Sequence, residues 1–275
     1  MKKQLVYLIV LGLLLTFSCK KDKEEGDIEG GCQEFDLSLF SINDDKELGA
    51  QVEAEILANP TQYPVIDSAS NVTLYGHLYR IRDKILNSGH VERKDDFKWK
   101  LYVIDDDTTL NAFCTPGGYI FVYTGLIRYL NSEDALAGVL GHEIAHADRR
   151  HSTKSMTRQY GINTLISIVA GNNENMIATL ANNISSLSYS RCHEGEADDY
   201  SVLYLSGTNY ICSGGAEFFE KIEEDGGSEV PEFLSTHPDP GNRIANYYAE
   251  AEKLSCNTTT PAIDANYQGL LNSLP

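Results

Sequence analysis

"VLGHEIAHADRR", residues 139–150, places two histidines four positions apart with a glutamate directly after the first. On a helix, positions i and i+4 stack on one face. His142 and His146 can therefore aim two imidazoles at one metal ion, with Glu143 in reach of a water on that ion. By chance, a chain of this composition contains such a pattern about once in 75. The reading therefore needs support from the rest of the chain.

The support starts with the helix itself. Asn131 or Ser132 can cap it, and Glu133 and Asp134 sit in its first turn, where carboxylates suit the helix dipole. It is expected to run from about 132 to 150, with Ala135, Val139 and Leu140 on its inward face. Upstream, "FKWKLYVID" (97–105) alternates like a strand, and "NAFCTPGGYIFVYTGLI" (111–127) reads as two short strands broken at Pro116-Gly117-Gly118. Helical spacing of apolar residues marks 41–59 and 71–89, and later 193–205, 216–224 and 241–254. Residues 155–190 read as one or two helices with a break at "GNNEN". Their apolar run, 165–170, is too short to span a membrane. The expected fold class is α+β, mostly helical, with a small sheet beside the helix that carries the histidines.

A catalytic metal usually has three protein ligands and one open position. "SRCHEGEAD" (190–198) offers the third: Glu194 and Asp198 share a helix face, so one can bind the ion while the other orients neighbouring groups. Alone, such a run would read as a solvated acidic face. His151 follows His146 by five, which on a continuous helix turns it away to an exposed end. His193 adjoins Glu194 but points about 100° around the helix.

These motifs, followed by "STHPDPGNRI" (235–244), resemble in kind and order the HtpX, CAAX prenyl protease and BepA type of gluzincin metallopeptidases, from about residue 41 to about 250. The resemblance implies a zincin-like fold and one zinc per chain. It makes His142, His146 and Glu194 the ligands and Glu143 the general base. It casts Asp198 as the aspartate behind the ligands and Arg243 as the arginine paired with it. His237 falls on a histidine thought to approach the zinc or the transition-state oxyanion, and Asn111 on an asparagine that helps hold substrate. The substrate is expected to lie extended beside the strand at 118–124. Cys114 and Cys192 stand where the family commonly has other residues. The implied activity is hydrolysis of peptide bonds in unfolded or misassembled proteins. The alternative is a metal-binding, chaperone-like or scaffold protein with latent proteolysis, favoured if His237 fills the fourth metal position at rest.

The N-terminus carries a different message. Lys2 and Lys3 precede an apolar run, Leu5–Phe17, that is shorter than the roughly 20 residues of a membrane span and reads as an export signal. Cys19 after Ser18 resembles the lipidation site of bacterial lipoproteins, although Thr16 and Phe17 fit that site imperfectly; a plain cut nearby is the alternative. The expected division is a signal peptide at 1–18, a flexible tether at 19–35 and a metallopeptidase domain at 36–275. The expected location is an outer membrane, facing periplasm or cell surface, through a lipid anchor. The net charge of −18 speaks against nucleic acid as a partner, and the metallopeptidase resemblance implies polypeptide substrates. Export permits disulfides. Cys212 and Cys256 flank the C-terminal helices and form one candidate pair; Cys114 and Cys192, both beside the metal motifs, form a second and leave Cys32 unpaired. The alternative is that buried cysteines act as small apolar residues.

Overall fold

The structure, a computed structural model, describes residues 37, 39–226 and 231–275. The expected signal, tether, Cys19 and Cys32 lie outside the described residues. Three strands form the sheet: β1 (Lys100–Ile104), β2 (Ala112–Thr115) and β3 (Tyr119–Tyr123). Their order is β1-β3-β2, with β3 parallel to β1 and antiparallel to β2. The β2–β3 turn uses Gly117 and Gly118 at φ of 77° and 84°, which glycine adopts without steric cost. All of β3 is buried, because both faces of the sheet are covered. Tyr119, Phe121 and Tyr123 enter one apolar cluster, and Ile120 and Val122 enter the other.

Helix α1 (Ile42–Leu57) contributes Leu48, Val52 and Ile56 to the cluster that holds Phe121. Its start is fixed by a capping box in which Ser41 and Asp44 satisfy each other's backbone N–H groups. Helix α2 (Val72–Leu86) buries Leu74, Leu78, Ile81 and Ile85 in the opposite cluster. After β3 the chain does not continue as strand: Thr124–Tyr129 is a short helix, α3.

Helix α4 (Glu133–Asp148) is the centre of the molecule. Ser132 caps it by accepting from the Ala135 N–H, and every one of its residues is buried. A helix surrounded on all sides loses the polar face of a surface helix. Residues 151–186 form α5 (His151–Tyr160), α6 (Ile162–Val169), α7 (Glu174–Asn183) and a 3-10 turn (Ile184–Ser186). This is one helix more than the sequence suggested, because Gly161 at φ 82° ends α5.

Helix α8 (Arg191–Ser206) packs along α4, and α9 (Gly214–Glu224) crosses it closely. A Cβ on Gly138 would stand 2.1 Å from the Gly215 nitrogen, so glycine at 138 is what permits that crossing. Then follow α10 (Pro231–Thr236), α11 (Arg243–Leu254) and α12 (Tyr267–Leu271). A disulfide joins Cys212 to Cys256 and closes a loop around α9, α10 and α11. The second candidate bridge is absent: Cys114 is a buried free thiol, and Cys192 is already half of another disulfide. Strand β2 holds the Cys114 sulfur beside the hydroxyls of Ser152 (3.3 Å) and Tyr189 (3.8 Å). Among the described residues no helix is long and apolar enough to cross a membrane.

Candidate metal centre

Helix α4 presents His142 and His146 on one face, and α8 lays Glu194 against them. The chain after α10 brings in His237. One nitrogen or oxygen from each of these four residues lies within 4.8 Å of the others, and all four side chains are buried. The individual contacts are 2.9 Å between the Nε2 atoms of His142 and His146, and 3.3 Å from each to a Glu194 oxygen. His237 Nδ1 stands 3.4 Å from His142 Nε2 and 3.2 Å from Glu194 Oε1. Ligands at about 2.0–2.1 Å from a tetrahedral ion are about 3.4 Å apart, so the cluster has the dimensions of one metal site.

Its electrostatics ask for a cation. His142 Nδ1 is 2.9 Å from Asp198 Oδ1 and donates to it, so the neutral form of this imidazole turns its Nε2 lone pair to the cluster. Glu194 Oε2 lies 3.3 Å from both His142 Nε2 and Arg243 Nη1. Burial would lower the pKa of His142, but the hydrogen bonds to Asp198 and Glu194 outweigh it and push the value up to about 9. Burial drives His146 the other way, well below the ordinary histidine value, so it remains neutral. Converging lone pairs with one place for positive charge suit a divalent ion held by imidazole and carboxylate.

Around this core the supports differ for each ligand. Asp198 accepts from Arg243 Nε (2.8 Å), from Arg243 Nη2 (2.5 Å) and from the Tyr247 hydroxyl (2.8 Å), so α11 fixes the carboxylate that fixes His142. The ring of Tyr189 stacks on His146 with centroids 3.7 Å apart. His151 is not at an exposed helix end. It is fully buried, and its Nδ1 is 3.0 Å from His146 Nδ1. The reason is a break: α4 ends at Asp148, Arg150 takes the left-handed conformation at φ 61°, and α5 starts at His151 and turns back towards the site. Asp45 Oδ2 and the Phe40 carbonyl hold Arg150 in that kink. His193 is likewise buried, its ring stacked on His151 at 4.3 Å.

Glu143 follows His142 on α4 and is fully buried, and neither carboxylate oxygen has a hydrogen-bond partner. His237 Nε2 stands 3.6 Å from its Oε1. Burial raises its pKa against the opposing pull of His237 and His142. His237 Nε2 also approaches the Ala112 carbonyl on β2, at 3.4 Å.

The sheet edge is not where the sequence suggested. β3, at 119–123, is the middle strand and has no free edge; the strand nearest the site with an outer edge is β2. Parallel pairing of β1 to β3 across an intervening hairpin strand is what moves β3 inward. The outer edge of β2 is itself occupied. Asn111, just before it, donates its amide to the Ser185 carbonyl (3.2 Å) and accepts from the Ala112 N–H (2.9 Å). The beginning of β2 is thus roofed by the 3-10 turn and by His237. Tyr189 and His151 had no motif in the sequence to single them out.

With this geometry in hand, comparison with known proteins is specific. Residues 76–251 match the model of peptidase family M48. A mitochondrial metalloendopeptidase OMA1 of Arabidopsis thaliana is 31% identical over 161 residues, which is 57% of this chain and 32% of that protein. A putative beta-barrel assembly-enhancing protease of Vibrio cholerae is 28% identical over 245 residues, covering 75% of this chain and 51% of the relative. The OMA1 metalloendopeptidase of Saccharomyces cerevisiae is 28% identical over 210 residues, 73% of this chain and 59% of the relative. The matches thus extend over a third to three-fifths of these relatives' lengths. A matched span of this extent, which contains the two α4 histidines, Glu143, Glu194 and His237, identifies the chain as a member of peptidase family M48.

Proposed function

We propose that this protein is a zinc-dependent endopeptidase held closed at rest. The observation that carries the reading is the convergence of His142, His146, Glu194 and His237 within 4.8 Å of one another, beside the unpartnered carboxylate of Glu143. His142, His146 and Glu194 would hold the ion. When bound there, zinc supplies Lewis acidity that polarises a carbonyl and acidifies water. Glu143 takes the water's proton and later passes it to the leaving amine, a task that suits a carboxyl whose pKa burial has raised. Asp198, clamped by Arg243 and Tyr247, keeps His142 in the tautomer that presents Nε2. Once His237 and the Ser185 segment move aside, a substrate strand would pair with β2, and the freed Asn111 amide would bind its backbone.

The substrates we propose are unfolded or misassembled polypeptides. The location we propose is the outer membrane of a cell envelope, facing periplasm or cell surface, through a lipidated Cys19. A second reading, a metal-binding chaperone-like or scaffold lipoprotein with latent proteolysis, is favoured by one observation: His237 Nδ1 takes the fourth place in the ligand cluster. One experiment separates the two. Casein cleavage is compared for the wild type and Glu143→Gln, with metal content measured on both. Cleavage by the wild type alone, with metal in both, supports the peptidase. Equal cleavage by both rejects the role of Glu143. Metal without cleavage by either favours the scaffold.

A further inference from the structure

His146 and His151 face each other nitrogen to nitrogen, with their Nδ1 atoms 3.0 Å apart. Two imidazole nitrogens that share no metal ion approach this closely only when one carries a proton and the other a lone pair. The surroundings decide which. His146 Nε2 points into the ligand cluster, 2.9 Å from His142 Nε2 and 3.3 Å from Glu194 Oε1, so for a metal it must be bare. The proton of neutral His146 is then on Nδ1, and His151 Nδ1 accepts it. His151 in turn carries its proton on Nε2, which faces Glu196 Oε2 at 3.4 Å. The other oxygen of Glu196 accepts from Arg149 Nε at 2.9 Å. Every tautomer in the chain His146–His151–Glu196–Arg149 follows from the first.

We infer that His151 is a positioning residue for metal binding: it accepts the Nδ1 proton of His146 and so holds that imidazole with Nε2 towards the ion. The inference rests on the reading of His142, His146 and Glu194 as a metal site. The two histidine ligands then have equivalent supports of different construction. His142 donates directly to a carboxylate, Asp198, whereas His146 reaches its carboxylate, Glu196, through an intervening imidazole. The difference has a geometric cause. The left-handed Arg150 turns α5 back so that His151, rather than an acidic residue of α8, lies against the outer nitrogen of His146. Two stacked rings, Tyr189 on His146 and His193 on His151, fix the planes in which the nitrogens meet. A ligand imidazole that loses such a support typically weakens metal affinity about 10–100-fold.

Two substitutions separate the hydrogen bond from packing. His151→Phe keeps a flat ring against His193 and removes the acceptor. His151→Asn loses the ring but can place its amide oxygen where Nδ1 stood. Zinc affinity is read by competition with a chromophoric chelator, and site geometry by the visible spectrum of the cobalt(II)-loaded protein. Circular dichroism of the metal-free forms checks the fold. The expected result is about 10–100-fold weaker zinc binding and an altered cobalt spectrum for His151→Phe. His151→Asn should stay within about threefold of the wild type with an unaltered spectrum. Affinity that follows ring shape instead, normal in Phe and weak in Asn, overturns the inference, as do wild-type affinities in both. If His151→Phe does not fold, Glu196→Gln carries the test, because removing the charge at the end of the chain should weaken zinc by about 3–10-fold; an unchanged value overturns the inference. A wild type that binds no zinc would instead overturn the metal-site reading itself, and that result is seen before any variant is made.

Discussion

Glu143 is a carboxylate without exposure and without a hydrogen-bond donor, an arrangement that folding alone would not favour. A buried ionisable group of this kind destabilises its protein and is kept where chemistry uses it. Glu143→Gln should therefore lower peptide cleavage by about 10²–10⁴-fold while metal content stays that of the wild type. The same variant should unfold at an equal or higher temperature, because it replaces a buried ionisable carboxyl by a neutral amide; a clear fall in thermal midpoint would assign Glu143 a structural role instead. Asp199, next to the clamped Asp198 on α8, offers a test of sign. Burial, with Glu250 and Asp198 nearby, raises its pKa to about 6. A carboxyl whose folded-state pKa is raised contributes stability below its unfolded value near 4, and that contribution is lost as the pH rises through about 6. Asp199→Asn should thus match the wild type at pH 4 and exceed it at pH 7.5 by about 1 kcal/mol after allowance for solvent screening. Calorimetry at the two pH values checks this, and an equal gain at both would remove the titration from the explanation.

At the scale of elements, the segment from α10 to the start of α11 is both roof and ligand. Phe233, in the middle of α10, stacks its ring on His237 at 4.4 Å, and the Thr236 carbonyl accepts from the Tyr189 N–H at 3.1 Å. His237 touches the ligand cluster with one nitrogen and the Ala112 carbonyl of β2 with the other, so it bars both the fourth metal position and the strand edge. His237→Ala should raise basal cleavage of a short fluorogenic peptide and leave the protein folded. A fall of about 10²-fold would show that His237 serves the transition state rather than the closed state. This segment also shows where the sequence was readable. The spacing of His142 and His146 on one helix, and of Glu194 and Asp198 on another, follows from helical geometry, so residues that meet in space could be named in advance. The same geometry misled at His151. Helical spacing carries α4 on through residues 149–150, and a non-glycine residue at positive φ, held by the Asp45 side chain of α1 and the Phe40 carbonyl just before that helix, has no local signature. The strand order was hidden for a related reason. Alternating residues show that 119–123 is a strand but not that it lies between two others.

For the whole molecule, the candidate ion would act as a cross-link. Its expected ligands, His142, His146 and Glu194, come from α4 and α8, and His237 from the segment between α10 and α11 closes on the same point. The Cys212–Cys256 disulfide ties the same C-terminal region together from outside, closing a loop whose ends are 44 residues apart. In the chain-entropy model a loop of that length contributes about 4 kcal/mol. The two restraints are independent in kind, because a chelator removes one and a reductant the other. A ligand that binds only the folded state stabilises it by about 4 kcal/mol at a concentration 1,000 times its dissociation constant. Removal of metal by a chelator under non-reducing conditions should therefore lower the thermal midpoint by several degrees, and added zinc should restore it in a concentration-dependent way. Glu194→Ala removes a carboxylate from the cluster, and its midpoint should no longer respond to chelator or zinc. Asp198→Ala leaves the ligand set whole but loses the acceptor of His142, so its response should persist and shift to about 10–100-fold higher zinc. A midpoint in Glu194→Ala that still rises with zinc as in the wild type would move the ion to other residues.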